Sequence, residues 1–98
     1  AMFLPAVVRF NASAESVQKE KRLERMAHAM GLASAGDIPE AIRDMNARLG
    51  LPTGLAAMGV TEALFDDIIK GAMADHCHKT NPRIATPEEY RDMLAQSL

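Results

Sequence analysis

Ninety-eight residues carrying 11 basic and 13 acidic side chains, with 48% hydrophobic and 24% charged positions, are expected to form one soluble domain spanning 1–98. That balance of charge speaks against disorder and against a nucleic-acid platform, and no apolar run approaches the ~20 residues that cross a bilayer. The one cysteine, Cys77, excludes an internal disulfide and favours a reducing, cytoplasmic setting over a secreted scaffold.

The chain is rich in Ala, Leu and Met, and its only aromatics are Phe3, Phe10, Phe65 and Tyr90, so composition leans all-α. The first element runs from residue 1 to about residue 11. Met2 to Val8 is uninterrupted apolar sequence, which should be buried on more than one side, and Pro5 is tolerated only in its first turn or at a kink. No basic stretch precedes it, as one would in a signal peptide, and the chain does not begin with Met; the segment reads as the cut front of a helix in something larger.

Ser13 would cap a helix over residues 14–30, solvated in its front half and carrying Leu23, Met26, Ala27 and Met30 on one stripe behind, with Gly31 closing it. Asp37 with Glu40 forms a capping-box pattern ahead of Ile38, Ala41, Ile42, Met45 and Leu49, and Gly50 and Pro52 end that helix. Residues 51–60 read as a connector with one short turn at 55–57. Thr61 would cap a helix through about residue 75, whose wide stripe of Leu64, Phe65, Ile68, Ile69, Ala72 and Met73 suits the central helix of a bundle. Residues 76–85 read as a polar loop. Thr86-Pro87-Glu88-Glu89 is the strongest start signal, opening a last helix that turns Tyr90, Met93, Leu94 and Leu98 inward. The pattern predicts a bundle of about five helices.

Chemistry is sparse. His76-Cys77-His78 is the one local cluster of soft ligands, but its spacing is poor for zinc, and a helix C-terminus with a packed cysteine is the plainer reading. A Cys–His nucleophile would require adjacent side chains to face each other. No Gly-rich phosphate loop is present. Asp66-Asp67 reads as a solvated face, the charges of Glu15 to Arg25 likewise, and the methionines as core. From residue types alone no catalytic constellation is complete.

The order of segments carries more. Leu4-Pro5-Ala6-Val7-Val8-Arg9-Phe10-Asn11, the helix ending at Gly31, Ile42 to Pro52, the Leu55 to Thr61 connector, and Asp75-x-Cys77-x-x-x-Asn81-Pro82-Arg83 followed by Thr86-x-Glu88-Glu89 resemble the C-terminal part of iron-containing (group III) alcohol dehydrogenases. The resemblance covers the whole chain and about the last quarter of such an enzyme. It implies the all-helical C-terminal domain of the dehydroquinate synthase-like fold, preceded by an N-terminal nucleotide-binding α/β domain as its partner. It further implies a homo-oligomeric parent that oxidises an alcohol to an aldehyde or ketone with NAD(P)+, using Fe2+ (or Zn2+) to polarise the alcohol oxygen. The metal ligands of that family lie on motifs upstream of the Leu-Pro-x-Val segment. His28, His76 and His78 do not match them, so no metal, cofactor-binding or catalytic residue is carried over, and the chain by itself is expected to bind neither cofactor and to be inactive. Carried over instead are Cys77 and, beside it, His78 as substrate-pocket candidates, although His76 and His78 replace the small residues of the family pattern. Asn81, Pro82 and Arg83 are read as a locked structural loop.

Two other readings stand beside this one: a free-standing helical protein-interaction domain, and a small metal module built on His76, Cys77 and His78. A self-association face is expected along Met2 to Val8, since large apolar patches seldom stay bare.

Overall fold

A computed structural model describes all residues, 1–98, and holds seven α-helices, three short 3-10 turns and no strand. The helices are α1 (Leu4–Asn11), α2 (Glu15–Lys19), α3 (Arg22–Ala29), α4 (Ile38–Arg48), α5 (Phe65–Ala74), α6 (His76–Thr80) and α7 (Pro87–Gln96). The fold is all-α, with seven helices in place of about five. No helix is long and apolar enough to cross a membrane.

The apolar opening segment becomes the hub. Pro5 sits in the first turn of α1, where its missing N–H removes no helical bond. One side of α1 sends Val8 against Ala27 of α3 and Ile38 and Ile42 of α4; another packs Ala6 against Ala85 and Met93 of α7. Asn46, itself buried, ties α4 to the start of the chain by donating Nδ2–H to the Ala1 carbonyl at 3.1 Å. Pro5, Ala6 and Val8 are buried and Leu4 alone of the Met2 to Val8 run is exposed. The chain's own helices thus cover part of the face expected for self-association, with Leu4 left exposed and Val7 on an open groove. The bundle's central helix is α1, and α5, given that place by its stripe, buries only Phe65 and Ile69.

The helix expected over residues 14–30 breaks at Lys21, which takes a left-handed φ of 50°. A continuous helix would stack Glu20 on Glu24 and Lys21 on Arg25, both like-charge pairs at i,i+4. The break replaces them with an attractive pair, Arg22 Nε donating to Glu20 Oε2 at 2.9 Å. Three caps also differ from expectation. Ser13 caps nothing and donates its hydroxyl back to the Phe10 carbonyl, so that Ala14 heads α2. Asp37 accepts from Ser34 N and Oγ at 3.1 and 3.2 Å, closing a 3-10 turn at Ala35–Asp37, while Glu40 turns to Arg9 and Arg43. Thr61 precedes a 3-10 turn, Glu62–Leu64, without a side-chain bond. The last helix starts as its signal indicates: Thr86 Oγ1 accepts Glu89 N–H, and Glu89 Oε2 accepts Thr86 N–H.

Gly31 and Gly50 take left-handed φ of 72° at the ends of α3 and α4, as their helix-ending positions require. Gly54 answers a different demand. The chain's last residues lie against it, with Leu55 N donating to Ser97 O at 2.7 Å and Ala56 N to Leu98 O at 3.2 Å. The methionines depart from the core reading: Met26, Met30, Met45 and Met58 are exposed, and only Met93 is buried. Leu49, Leu64, Ile68 and Ile84 are exposed with them.

Candidate functional site

Where α5 ends, the chain turns sharply at Asp75 (φ −72°, ψ 140°) and starts the short helix α6 in place of the polar loop expected over residues 76–85. Asp75 caps that helix by accepting Cys77 N–H at 2.7 Å. His76, Cys77 and His78 thus open a new helix, which corrects their placement at a helix C-terminus. The turn lays α6 beside α1 and α7, and a groove of about 470 Å³ runs between them.

Its floor is apolar, from Val7 and Phe10 of α1, Ile68 and Ala72 of α5, and Met93 of α7; its polar wall is Asp75, Cys77, His78, Asn81 and Tyr90. Both pocket candidates, Cys77 and His78, therefore stand on one groove wall. His78 Nδ1 lies 3.1 Å from the Tyr90 hydroxyl, with the rings tilted by 43°. Tyr90 read from the sequence as an inward core residue; its hydroxyl end instead reaches the groove, where an aromatic body with a polar tip is well suited.

The loop after α6 is fastened to α1. Asn81 and Asn11 exchange amide bonds at 3.2 and 2.7 Å, and Asn81 Nδ2 also donates to the Arg83 carbonyl. Arg83 donates to the Phe10 carbonyl at 3.3 Å, lies 4.1 Å above the centre of the Phe10 ring, and pairs with Glu89 of α7. Pro82 lies exposed between them. The candidate loop residues Asn81 and Arg83 thereby join α1, α6 and α7, and Phe10 and Asn11 belong to the same lock.

Electrostatics keep the wall quiet. The Cys77 N–H and then the thiol itself hold the Asp75 carboxyl below the ordinary carboxylate range. Asp75 in turn accepts the thiol hydrogen and places its charge nearby, pushing the Cys77 thiol up and away from thiolate. A Cys77 nucleophile is disfavoured on that ground, although His76 Nε2 is 3.5 Å from the sulfur. Burial, followed by the Asp75 charge, raises the Tyr90 hydroxyl, which stays a phenol and a donor.

Asp75, His76 and Cys77 place one donor atom each within 4.8 Å of one another, all exposed. They do not fit a resident iron. The three are consecutive, the Asp75 carboxylate already caps α6, and the thiol it holds protonated would have to ionise to ligate. His28 is exposed on α3 and lines no part of the groove. The Asp66-Asp67 pair is solvated, with Asp66 bonded to Arg91.

A family model for the C-terminal region of the Fe-containing alcohol dehydrogenase family matches residues 1–98. The chain is 54% identical over 98 residues to a 4-hydroxybutyrate dehydrogenase of Cupriavidus necator, a match covering all of this chain and 26% of that protein. It is 31% identical over 106 residues to an NAD-dependent methanol dehydrogenase of Bacillus methanolicus, covering 97% of this chain and 26% of that protein. The chain thus spans about a quarter of the length of these relatives. No solved structure matches it.

Proposed function

This chain belongs to the Fe-containing alcohol dehydrogenase family, as its C-terminal region, and on that premise we propose that it forms the helical lobe of a metal-dependent dehydrogenase acting on a short hydroxy acid such as 4-hydroxybutyrate. The reaction is the oxidation of a primary alcohol to an aldehyde, in which hydride passes from the carbinol carbon to NAD(P)+ and the hydroxyl gives up a proton. The chain's own residues supply neither a metal seat nor a Gly-rich phosphate turn, so no step is assigned to them beyond binding and shielding. They form the substrate-facing wall. Val7, Phe10, Ile68, Ala72 and Met93 provide an apolar surface that excludes water from the methylene chain of the substrate. Cys77, exposed on the groove wall with its thiol pushed up by Asp75, forms no covalent intermediate.

The carrying observation is the 54% identity to a hydroxybutyrate dehydrogenase over all 98 residues of the chain. The exposed apolar side chains of α3, α4 and α5 support the same reading, because a lobe that meets the rest of an enzyme needs a surface of this kind. A chimera tests it: the Cupriavidus necator enzyme with its last 26% replaced by this chain. NAD-linked oxidation of 4-hydroxybutyrate by the chimera is the expected result. A folded chimera that turns over no primary alcohol would refute the proposal and favour the interaction-domain reading. The 98-residue chain alone should give no turnover with NAD(P)+ and added Fe2+.

A further inference from the structure

Few polar atoms of the groove have a hydrogen left to donate to a ligand. Asp75 is an acceptor and carries negative charge. The Asn81 amide nitrogen already serves two oxygens, those of Asn11 and of the Arg83 carbonyl. Arg83, two residues past Asn81, is committed to the Phe10 carbonyl and ring and to Glu89 and lines a separate depression beside Phe10, and neither it nor Lys79 lines the groove. Cys77 offers only a weak thiol donor, 3.5 Å from the His76 Nε2. Tyr90 and His78 remain, and they hold each other at 3.1 Å. Whether the phenol donates to Nδ1 of a neutral ring or accepts from Nδ1–H of a charged one, the ring hydrogen on Nε2 is left free for a ligand. His78 is also the one side chain lining this groove that can take a positive charge.

The remaining surface is aliphatic and aromatic. A ligand that matches both has a short apolar chain and one anionic end. We propose that the His78 imidazole, steered by Tyr90, binds the carboxylate of a short ω-hydroxy acid whose methylene chain lies along Val7, Phe10 and Met93. The assignment rests on the hydroxy-acid dehydrogenase reading above and adds to it the residue that selects the acid over a plain alcohol. Asp75 at the same rim repels an anion, so the carboxylate is held only while His78 donates to it. That makes selectivity unusually dependent on a single ring. The flanking amide cannot take over, since both its hydrogens serve Asn11 and Arg83, and the thiol is too weak a donor to replace the ring.

The test compares 4-hydroxybutyrate with butan-1-ol, which has the same chain without the carboxylate, in the full-length enzyme that carries this chain. In the wild type, kcat/KM favours the acid. His78→Ala should lower the acid-to-alcohol ratio of kcat/KM by about 10- to 100-fold, the loss of a charge-assisted bond, and should do so mainly through KM. His78→Gln, which keeps a donor but no charge, should lie between. Tyr90→Phe, which releases the positioning bond and keeps the ring, should lower the ratio less than His78→Ala, again in KM. Turnover of butan-1-ol by each variant reports that it has folded. An acid-to-alcohol ratio that is unchanged in His78→Ala, whether both activities fall or neither does, overturns the assignment of His78 while leaving the dehydrogenase reading intact. A wild type with no preference for the acid overturns the hydroxy-acid reading, and the role of His78 with it.

Discussion

Arg83 is the point where the groove-bearing turn is fixed to the hub helix, and its replacement should be the most informative change in the loop. The guanidinium makes three separable interactions. Its bond to the Phe10 carbonyl at 3.3 Å is part-buried and contributes about 1 kcal/mol. Its position 4.1 Å above the Phe10 ring contributes about 0.5–1 kcal/mol. The pair with Glu89, with side chains 36% and 29% exposed, is discounted for solvent to about 0.5–1 kcal/mol. Arg83→Ala should therefore lose about 2–3 kcal/mol, a large part of the stability of a chain this size. At ~1.5 kcal/mol per molar urea the unfolding midpoint, followed by far-UV circular dichroism, should fall by roughly 1–2 M. Arg83→Lys keeps the charge for Glu89 but loses the planar stack and the fork, so about half of the loss should remain. A cycle with Phe10→Leu should return a coupling of about 0.5–1 kcal/mol. If Arg83→Lys unfolds with the parent and the cycle shows no coupling, the stacked geometry contributes nothing and this account of the loop is wrong.

Three further changes have clear signs. A Cβ on Gly54 would lie 2.2 Å from the Leu98 carbonyl oxygen, so Gly54→Ala should cost about 1–3 kcal/mol by displacing the chain end, and deleting Ser97 and Leu98 should remove the difference from the parent in urea unfolding. Lys21 sits at φ 50°, so Lys21→Gly should raise stability by about 0.5 kcal/mol and Lys21→Val lower it by about 1 kcal/mol, both read from melting curves. The Asp75 carboxylate raises the Cys77 thiol, so the folded protein holds less thiolate at a given pH than the unfolded one. Asp75→Asn, which can still cap α6, should shift the pH profile of iodoacetamide alkylation to lower pH; equal rates in parent and variant would mean the carboxylate has no hold on the thiol.

Local signals were legible in the sequence where a short motif closes on itself. The Thr86–Glu89 box and the closing glycines Gly31 and Gly50 need only their own neighbours, and they appear where the pattern put them. The caps that failed had competitors the pattern could not weigh. Ser34, three residues before Asp37, claimed its carboxylate, while Glu40 found Arg9 thirty-one residues away in α1. The break at Lys21 has its cause in the sequence itself, in the like-charge pairs Glu20–Glu24 and Lys21–Arg25 that a continuous helix would stack. Helix α6 stayed hidden because five residues of mixed polarity have no periodicity to read, although the Asp75-x-Cys77 spacing is that of a side chain capping the residue two ahead.

The candidate site shows a different boundary. Cys77, His78, Asn81 and Arg83 were singled out by an ordered set of short motifs, yet Tyr90 beside His78, Asn11 beside Asn81 and Phe10 beneath Arg83 come from α7 and α1, and only the folded chain brings them together. Periodicity likewise reports that a helical face is covered, and not what covers it. Met26, Met30, Met45, Leu64 and Ile68 occupy inward stripes by spacing and are exposed in fact. Assigning them to this chain's own core fails because the core divides into three small clusters, two around α1 and one where α5 meets α7, which leave these side chains outside. The leftover apolar side chains then call for a surface beyond the 98 residues. In the proposed enzyme that surface is the lobe carrying the metal and the dinucleotide, and the groove beside Cys77 and His78 would open toward it.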